Sequence, residues 1–439
     1  MKIGREEMEQ GKTGYSTTTY RLRLYQKHRE WLKMTKDIYN EVVKYYYDIL
    51  LLEDELWNLT NQQMMRKLEL MTIGARYQKE EVKYPFPYGK IPLYFRRAAI
   101  HAAIGAGKGF IFRWKLYKEE KIEELPKKAK EFHASPVFYA GMYRNRTENS
   151  IQLKVYNGVK WVWDRYRFHD MGRKLPEDGQ VKSPSLKVTE HGAWLHVPVV
   201  TPVEDIRTVN ERMKEEQEIC AVYFPNNNNL AVCARMDLEG SVKEYYLIKG
   251  GNKRRTIQKK WQQQLKQSRK SRQPEKRREN TKEEKRQEGK ENQKYYKKIR
   301  QLNEHYAHKV SREILNYCIE REIRLIVVPK YENTISFQNK GYLKTDGYDW
   351  IGRRIIRDLK YKSYQNGIVT TTIRPYHISD TCHICEGKIK RYNKGHRASE
   401  NYYGGQLYIC ENGHRGNAAK NSAENIGRYF LKHYQKDKV

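Results

Sequence analysis

Three short apolar runs follow one another between residues 217 and 250 and set the class of fold that this chain can adopt. Their sequences are EICAVYF, LAVCARMD and EYYLIKG, and turn residues separate them. Beyond them, HYAHKVSREILNYCIEREI has helical spacing, RLIVVPKY is typical of a buried strand, WIGRRIIRDLKYKSYQNG is a helix that Gly367 ends, and IVTTTIRPY is a strand. NSAENIGRYFLKHY predicts a final helix. Strands in a row followed by alternating helices and strands predict an α/β sheet with helices on its faces.

A different pattern in the first two hundred residues predicts a separate β-domain. Between residues 135 and 200 the apolar period is two, as in SIQLKVYNGVKWVWDRYRF, and Gly, Asn and Pro turns interrupt it. This favours a small antiparallel barrel. Residues 15–25, YSTTTYRLRLY, predict a further strand of that barrel. Helical spacing from Lys27 to about Tyr77, and again in FRRAAIHAAIGAGKGFIFRWKLY, predicts helices inserted between the strands.

The charge balance indicates the partner. Lysine and arginine number 86 against 53 acidic residues, so the formal net charge is 86 − 53 = +33 and the pI is near 9.7. Such a surplus repels itself unless a polyanion offsets it, and nucleic acid is the leading candidate. A membrane surface is the competing polyanion, but the sequence has no apolar run that could span a bilayer and no signal-peptide core. We therefore expect nucleic acid as the partner and no membrane.

The six cysteines form two groups. Cys220, Cys233 and Cys318 lie in apolar segments, and we interpret them as reduced core residues. Six cysteines in a chain of 439 residues do not make a disulfide scaffold. A reducing cytoplasm is the expected location.

The second group has the spacing of metal ligands. Cys382 and Cys385 form a C-x-x-C knuckle in CHIC, and Cys410 and His414 form a second pair in CENGH. Two ligand pairs separated by a loop predict structural Zn²⁺, because tetrahedral coordination closes a ribbon too short to have its own core. The second pair lacks the cysteine of a C-x-x-C motif, so His414 is the expected fourth ligand and His396 the alternative.

Residues from about 252 to 300 are extremely polar and mostly basic. A solvated helical hairpin or a disordered loop is one interpretation. The other is a phosphate-facing arm, which we favour because Trp261, Tyr295 and Tyr296 punctuate the segment and would dock it. The candidate nucleic-acid contacts in this arm are Arg254, Arg255, Lys259 and Lys260.

Several stretches in a fixed order carry a family resemblance. FRRAAIHAAIG is similar to a recognition-lobe helix, PVFYAGMYR and YNGVKWVWDRYRF to a wedge barrel, ICAVYFPNNNNLAV and RLIVVPKYEN to the first and second RuvC motifs, and NSAENIGRYF to the tail of the third, commonly D-x-N-A-A-x-N-I. DWIGRRIIRDLKYKSYQNGIV matches the stretch before a zinc ribbon. The chain thereby resembles, over nearly its whole length, the TnpB (OrfB) RNA-guided nucleases of IS200/IS605 transposons and the miniature type V-F CRISPR effectors.

The resemblance implies an α+β multidomain fold. A wedge β-barrel with an inserted helical recognition lobe precedes an RNase H-like (RuvC) α/β domain that carries a zinc ribbon. The implied boundaries are 1–26 and 130–212 for the wedge barrel, 27–129 for the lobe, 213–379 and 417–439 for the RuvC-like domain, and 380–416 for the ribbon.

The family's three catalytic carboxylates have no counterpart in the alignment. The first aspartate falls on Tyr223, the glutamate of the second motif on Pro329, and the third-motif aspartate, counted back from Asn425, on Ala419. Two-metal cleavage needs anionic oxygens to hold divalent ions, and none of these side chains supplies one. Glu332, Asp237 and Glu424 are the acids that a relocated metal centre would use.

The resemblance then implies a naturally nuclease-inactive RNA-guided DNA-binding protein that represses transcription by holding an R-loop. The implied location is a prokaryotic cytoplasm, in association with the nucleoid. Its partners are a guide RNA and double-stranded DNA with a short flanking motif, and it acts as a monomer or a homodimer. The alternatives are an active RuvC-type endonuclease with a relocated metal site, a recruiter of a transcription partner such as a sigma factor, and a general RNA-binding accessory protein. Outside the arm, the expected contacts to nucleic acid are Arg96, Arg97, Lys108, Arg113, Arg144 and Lys160.

Overall fold

The structure is a computed structural model, and its described residues form two compact units. One unit comprises Tyr15–Pro202 and the other includes Val203–Val439. Together they have a mixed α+β architecture, and no helix among the described residues is long and apolar enough to cross a membrane. The domain boundaries inferred from the sequence stay predictions. The described ranges are 14–25, 28–74, 82–225, 227–270, 282–331, 351–374, 377–398 and 405–436, with side chains left out at 269–270, 282–292 and 435–436.

A seven-stranded sheet forms the frame of the N-terminal unit. The strand order is β2-β3-β4-β1-β7-β5, with β6 beside β7, so β1 pairs with strands far along the chain, as the sequence predicted. In β1 every second side chain is buried, which is the period-two pattern of a half-buried strand. The strands are β1 (Gly14–Leu24), β2 (Tyr143–Arg144), β3 (Ser150–Tyr156), β4 (Trp161–His169), β5 (Gln180–Val181), β6 (Ser185–Thr189) and β7 (Gly192–Val203).

Three α-helices lie between β1 and β2 in the chain. They are α1 (Arg29–Leu50), α2 (Asn61–Ile73) and α3 (Leu93–Lys118). The helical segment predicted from Lys27 to Tyr77 is therefore two helices with a 3₁₀ turn between them, and its last residues lie outside the described ranges. Thr60 explains the break, because its side chain and that of Gln63 form a capping box that begins α2.

The C-terminal unit contains two further sheets. The five-stranded sheet has the order β10-β9-β8-β11-β12; β8, β9 and β10 are antiparallel, and β11 runs parallel to both β8 and β12. A three-stranded sheet has the order β13-β14-β15. The strands are β8 (Glu218–Tyr223), β9 (Asn229–Asp237), β10 (Val242–Lys249), β11 (Leu325–Pro329), β12 (Val369–Ile373), β13 (Ile389–Tyr392), β14 (Leu407–Cys410) and β15 (Arg415–Asn417).

Helices cover both faces of the five-stranded sheet. Alternate residues of β8 enter different cores: Cys220 and Val222 contact one set of helices, and Ile219 and Ala221 contact the last helix. The helices are α4 (Val209–Glu215), α5 (Gly251–Lys270), α6 (Lys282–Glu320), α7 (Gly352–Gln365) and α8 (Ala418–Lys436). The α6 and α7 side chains pack on the first face, and those of α8 on the second. This is the sheet with helices on its faces that the sequence pattern predicted.

Gly107 allows close packing inside the N-terminal unit, and this generates a prediction. A Cβ at position 107 would lie 2.4 Å from Cη2 of Trp57. We expect Gly107→Ala to lower the free energy of unfolding by about 1–2 kcal/mol, because overpacking outweighs the better helix propensity of alanine. Gly109 is the control on the same helix, since nothing lies within 4 Å of its Cβ direction. Gly109→Ala should stabilise by up to about 1 kcal/mol, and equal effects of the two variants in urea denaturation would contradict the packing.

Candidate metal centre and nucleic-acid interface

The four ligands expected from the sequence converge at the start of the three-stranded sheet. The ligand atoms of Cys382, Cys385, Cys410 and His414 all lie within 4.8 Å of one another. Cys410 ends β14, and the backbone N–H of His414 donates to the Cys410 sulfur at 3.2 Å. Within the described ranges this is the one group of three or more His, Cys, Asp or Glu side chains with such convergence.

The spacing of these ligand atoms fits a tetrahedral ion. The Cys385 and Cys410 sulfurs are 3.6 Å apart, and Nδ1 of His414 is 3.3 Å from the Cys410 sulfur and 3.9 Å from the Cys382 sulfur. Around Zn²⁺, with its usual bond lengths, neighbouring sulfur and nitrogen ligands lie about 3.5–3.8 Å apart. A hydrogen bond with the Gly387 backbone lowers the pKa of Cys385 to about 6, which favours the thiolate that a metal needs.

The backbone turn after Cys410 explains why His414, and not His396, lies beside the cysteine sulfurs. Gly413 has φ +80°, in the left-handed region that disfavours other residues, so the turn after Cys410 uses a glycine where a C-x-x-C motif would have cysteine. The chain then brings His414 back to the sulfurs. His396 is exposed in the turn after β13 and is not part of the converging group.

Helix α8 holds the knuckle through two asparagines that the sequence analysis did not assign a role. Asn421 is 1% exposed; its Oδ1 accepts from the backbone N–H of His383 at 2.9 Å and its Nδ2 donates to the carbonyl of Thr381 at 2.7 Å. Asn425 Nδ2 donates to the same carbonyl at 2.9 Å. Because a buried side-chain amide needs partners, these bonds fix the ribbon against the helix. The signal was the third-motif pattern itself, in which both asparagines occur.

Glu424, one of the acids considered for a relocated centre, is already engaged. The carboxylate is 5% exposed, contacts the Tyr245 hydroxyl and lies 3.3 Å from Nε2 of His383. Burial raises its pKa to about 7, against a smaller opposing effect of Arg428. The carboxylate is therefore committed to contacts inside the C-terminal unit.

Two of the three positions aligned with the catalytic carboxylates lie side by side at one edge of the five-stranded sheet. Ile326 lies opposite Cys220 and Val327 opposite Ala221, so the same register brings Pro329 level with Tyr223 at the carboxyl ends of adjacent parallel strands. Ala419, in the first turn of α8, belongs to the apolar core against which Tyr223 packs. We call Tyr223, Pro329 and Ala419 the apolar junction.

The remaining acids near this edge have other contacts. Asp237 ends β9, and its Oδ1 accepts from the backbone N–H of Ser241 at 2.7 Å, which closes the turn to β10. Glu332 lies outside the described residues. The polar contact described at the junction is between the Tyr223 and Ser379 hydroxyls, 3.5 Å apart. Within the part of the chain that is described, no carboxylate cluster takes the place of the aligned triad.

The basic residues predicted on α3 have different surroundings. Arg96 and Arg97 both bind Glu69 of α2, at 3.1 and 2.9 Å, so these two guanidinium groups connect helices. The Lys108 ammonium donates to the Asn61 side chain at 2.6 Å, and Nε of Arg113 to the carbonyl of its own helix at Gly109, 3.2 Å away. Both of these side chains are exposed and remain candidates for phosphate contacts.

The basic arm is a pair of helices, α5 and α6, and one expectation in it is wrong. Arg254 is 2% exposed; it donates to the side chains of Gln258 at 3.0 Å and Asn303 at 2.8 Å. The arginine therefore joins the two helices and does not face a phosphate. Its neighbours Arg255, Lys259 and Lys260 are partly or fully exposed, and residues 271–281 between the helices lie outside the described ranges.

The outward side of the N-terminal sheet carries a run of cations that the sequence analysis largely missed. Arg144 lies opposite Gln152, which lies opposite Arg165, while Lys154 lies opposite Trp163, so these side chains share one face. Burial lowers the pKa of His196 on β7, with further contributions from Lys187 and Arg21, which extends the face to β6 and β1. We define the cationic sheet face as Arg21, Arg23, Arg144, Lys154, Arg165, Arg167 and Lys187.

No carboxylate balances this face. The outward positions of its strands contain no Asp or Glu, and none of the seven cations forms an ion pair with another described residue. Arg144 instead stacks on the Trp163 ring, 4.1 Å from its centroid, while its Nε donates to Gln152 at 3.0 Å. Cations beside an aromatic ring on a sheet face are typical of nucleic-acid binding. The sequence signal was the alternation in TYRLRLY and WDRYRFH, which places each arginine on the outward side. Lys160, the other predicted contact here, is exposed in the β3–β4 turn.

Comparison with known proteins finds solved structures with a similar fold. A family model described as the Aq_aa04 family matches residues 16–157, and no curated protein matches the chain. The protein in a cryo-EM structure of a Cas12f1–sgRNA–target DNA complex is 16% identical, with a TM-score of 0.52 over 91% of this chain and 81% of that one. The RNA-guided endonuclease Cas_phi3 is 10% identical, with a TM-score of 0.48 over 96% and 92% of the chains.

A more distant likeness is to C2c1 of Alicyclobacillus acidoterrestris in complex with single-guide RNA. That protein is 10% identical, with a TM-score of 0.45 over 92% of this chain and 67% of its own. Of these three, the Cas12f1 complex contains the protein whose fold this chain shares.

Proposed function

We propose that this protein is a naturally nuclease-inactive, RNA-guided DNA-binding protein that represses transcription. The apolar junction is the observation that carries the proposal. By the strand register Pro329 lies level with Tyr223 where a RuvC-type enzyme needs carboxylates, and Tyr223 packs against the apolar core that includes Ala419. Divalent ions that activate water for phosphodiester cleavage have no anionic oxygens there to hold them.

Two features support nucleic acid as the partner. The chain has the fold of the protein in a Cas12f1–sgRNA–target DNA complex, and its cationic sheet face is free of carboxylates. Lysine and arginine that neutralise phosphates release counterions, which supplies sequence-independent affinity. In guided binding, sequence is then selected by pairing between guide and target, since the protein contacts mainly the backbone.

Repression follows from binding without cutting. A heteroduplex is about as stable as the DNA duplex it replaces, so basic contacts to the backbone help to decide whether the R-loop persists. A persistent R-loop over a promoter blocks polymerase. Recruitment of a transcription partner such as a sigma factor would reverse the output, and an endonuclease would need acids placed elsewhere. The described candidates Glu424 and Asp237 are occupied by other contacts.

The ribbon generates a metal prediction. We propose that Cys382, Cys385, Cys410 and His414 bind structural Zn²⁺. His414→Ala should remove the metal, because three ligands remain in a site that needs four. The zinc content of the purified protein, measured by elemental analysis, is expected to fall from about one ion per chain to a small fraction.

His396→Gln is the matched control for this loss, because His396 is exposed and lies outside the converging group. It should leave the zinc content unchanged. Hydrogen exchange should also rise in β14 and at Asn421 when the metal is lost, since the knuckle and α8 are bonded to each other. Zinc retained in His414→Ala and lost in His396→Gln would reverse the ligand assignment.

The cationic sheet face generates an affinity prediction. Replacing Arg23, Arg165 and Arg167 together with glutamine should weaken RNA binding and reduce the dependence of log K on log salt by about two to three, because each lost phosphate contact removes about 0.7–0.9. The measurement is fluorescence anisotropy with labelled RNA at several salt concentrations.

A charge-matched control separates a local interface from net charge. Glutamine at Lys44, Lys115 and Lys127 removes three cations of the same unit that each lie beside a carboxylate. This control should keep the salt dependence of the wild type. If both triple variants lose the same slope, total charge and not this face governs binding.

The guided function has a direct test. RNA that co-purifies with the protein should have one fixed scaffold and a short guide that matches a promoter. The RNA-loaded protein should bind a matching duplex and leave it uncut in Mg²⁺, because the apolar junction holds no metal ligands. Electrophoresis of the bound duplex detects both results.

The variant Tyr223→Asp also tests whether the apolar junction lacks metal ligands. A single carboxylate cannot hold two metal ions, so the variant should also leave the duplex intact. Chelator-sensitive cutting by the wild type would support the endonuclease alternative. Heterogeneous RNA with no common scaffold would instead favour a general RNA-binding protein.

A further inference from the structure

A second group of cations lies in the C-terminal unit, where α6 meets α7. Nδ1 of His308 on α6 is 3.2 Å from Oδ2 of Asp358 on α7, and Nζ of Lys362 on α7 donates to the Ser311 hydroxyl and to the His308 carbonyl, each at 2.7 Å. Arg357 binds the same carboxylate at 2.9 Å. We call this group, together with Arg312, the α6–α7 seam.

One buried carboxylate orients the seam. Asp358 is 7% exposed, and its Oδ2 has no hydrogen-bond donor unless His308 carries a proton on Nδ1. A proton there makes Nε2 of the neutral imidazole an acceptor, and the side chain of His308 is 61% exposed. The Arg357 side chain is 68% exposed while it is bound to the buried carboxylate. The acid thus holds the exposed Arg357 guanidinium in place as a donor.

The seam has more positive charge than its acid balances. Lys362, Arg357 and Arg312 give +3 against −1 from Asp358. Burial, with repulsion from Arg312, lowers the pKa of Lys362 to about 8, while Asp358 acts in the opposite direction. Cations that repel one another and still share a surface are stabilised when an anion binds.

We propose that the α6–α7 seam binds a phosphate group of a nucleic-acid strand, with Arg312, Arg357 and Lys362 as its donors. This contact is additional to the cationic sheet face and lies in the other unit. Phosphate is the ligand that fits, because guanidinium and ammonium groups donate to its oxygens with charge assistance and no acceptor is needed from the protein. The inference rests on the proposed function only for the identity of the partner.

Arg312→Gln is the cleanest variant, because Arg312 is exposed and has no ion pair within the described ranges. With the full chain freed of nucleic acid and a labelled single-stranded RNA as probe, we expect Kd to rise several-fold and the salt slope to fall by about one. Lys432→Gln is the control: Lys432 is on α8 of the same unit, 62% exposed and paired with Glu386, and its loss should change neither value.

Asp358→Asn separates an organised site from net charge. The substitution removes a negative charge, so charge alone would tighten RNA binding. Loss of the carboxylate that orients His308 and Arg357 should instead weaken it. A thermal melt checks that the variant is folded, and if it is not, the result with Arg312→Gln decides.

The pH dependence is a further readout. His308, Arg312, Arg357 and Asp358 surround Lys362, whose ammonium form persists below its pKa of about 8, so RNA binding by the wild type should weaken as pH rises through about 8. Lys362→Gln should flatten this change.

The source of the phosphate is tested directly. Inorganic phosphate, titrated by calorimetry at constant ionic strength, should bind only weakly if the seam is built for a strand. Tight binding of inorganic phosphate with unchanged RNA affinity of Arg312→Gln would overturn the proposal. If wild type and all seam variants bind RNA equally while guided DNA binding persists, this inference is wrong and the proposed function is untouched.

Discussion

The C-terminal unit depends on how helix α8 divides its residues between two partners. Ala419, Ala423 and Ile426 pack on the five-stranded sheet, and Asn421 and Asn425 hold the metal knuckle. The helix also lies close to the sheet: a Cβ at Gly427 would be 2.3 Å from the Met236 sulfur. Because one rigid helix makes both sets of contacts, the position of the ribbon is fixed relative to the sheet edge where β8 and β11 end.

The apolar residues near the ends of β8 and β11 bear on the proposed function. Divalent ions bind at such an edge only if carboxylates line it, because the carboxylates supply the ligands and the ions offset the repulsion between them. Here Tyr223 packs against the apolar core to which Ala419 belongs, which favours folding by burial without any ion. The fold is retained, and the proposal of binding without cutting follows from this replacement.

Local packing also decides which arginines are exposed and which are buried. Arginines on β1 and β4 alternate with buried apolar residues, so strand geometry alone places them together on an uncompensated face. Arg254 shows the opposite case: within an equally basic segment, it is buried and bonded to two amides. Composition therefore predicts the class of partner, and packing decides which cations are available to it.

The sequence by itself determined a great deal. Period-two and helical patterns predicted the strands and helices of both units, and the ligand pairs predicted the four side chains that converge, because each is a local property of spacing or residue type. The loss of the three catalytic carboxylates stays a prediction of the alignment. The tertiary structure decided the rest. Register alone brings Pro329 beside Tyr223, the left-handed turn at Gly413 returns His414 instead of His396 to the sulfurs, and helix packing assembles the α6–α7 seam from residues about fifty positions apart. These features join residues distant in the chain, and no local pattern encodes which distant partner a side chain will meet.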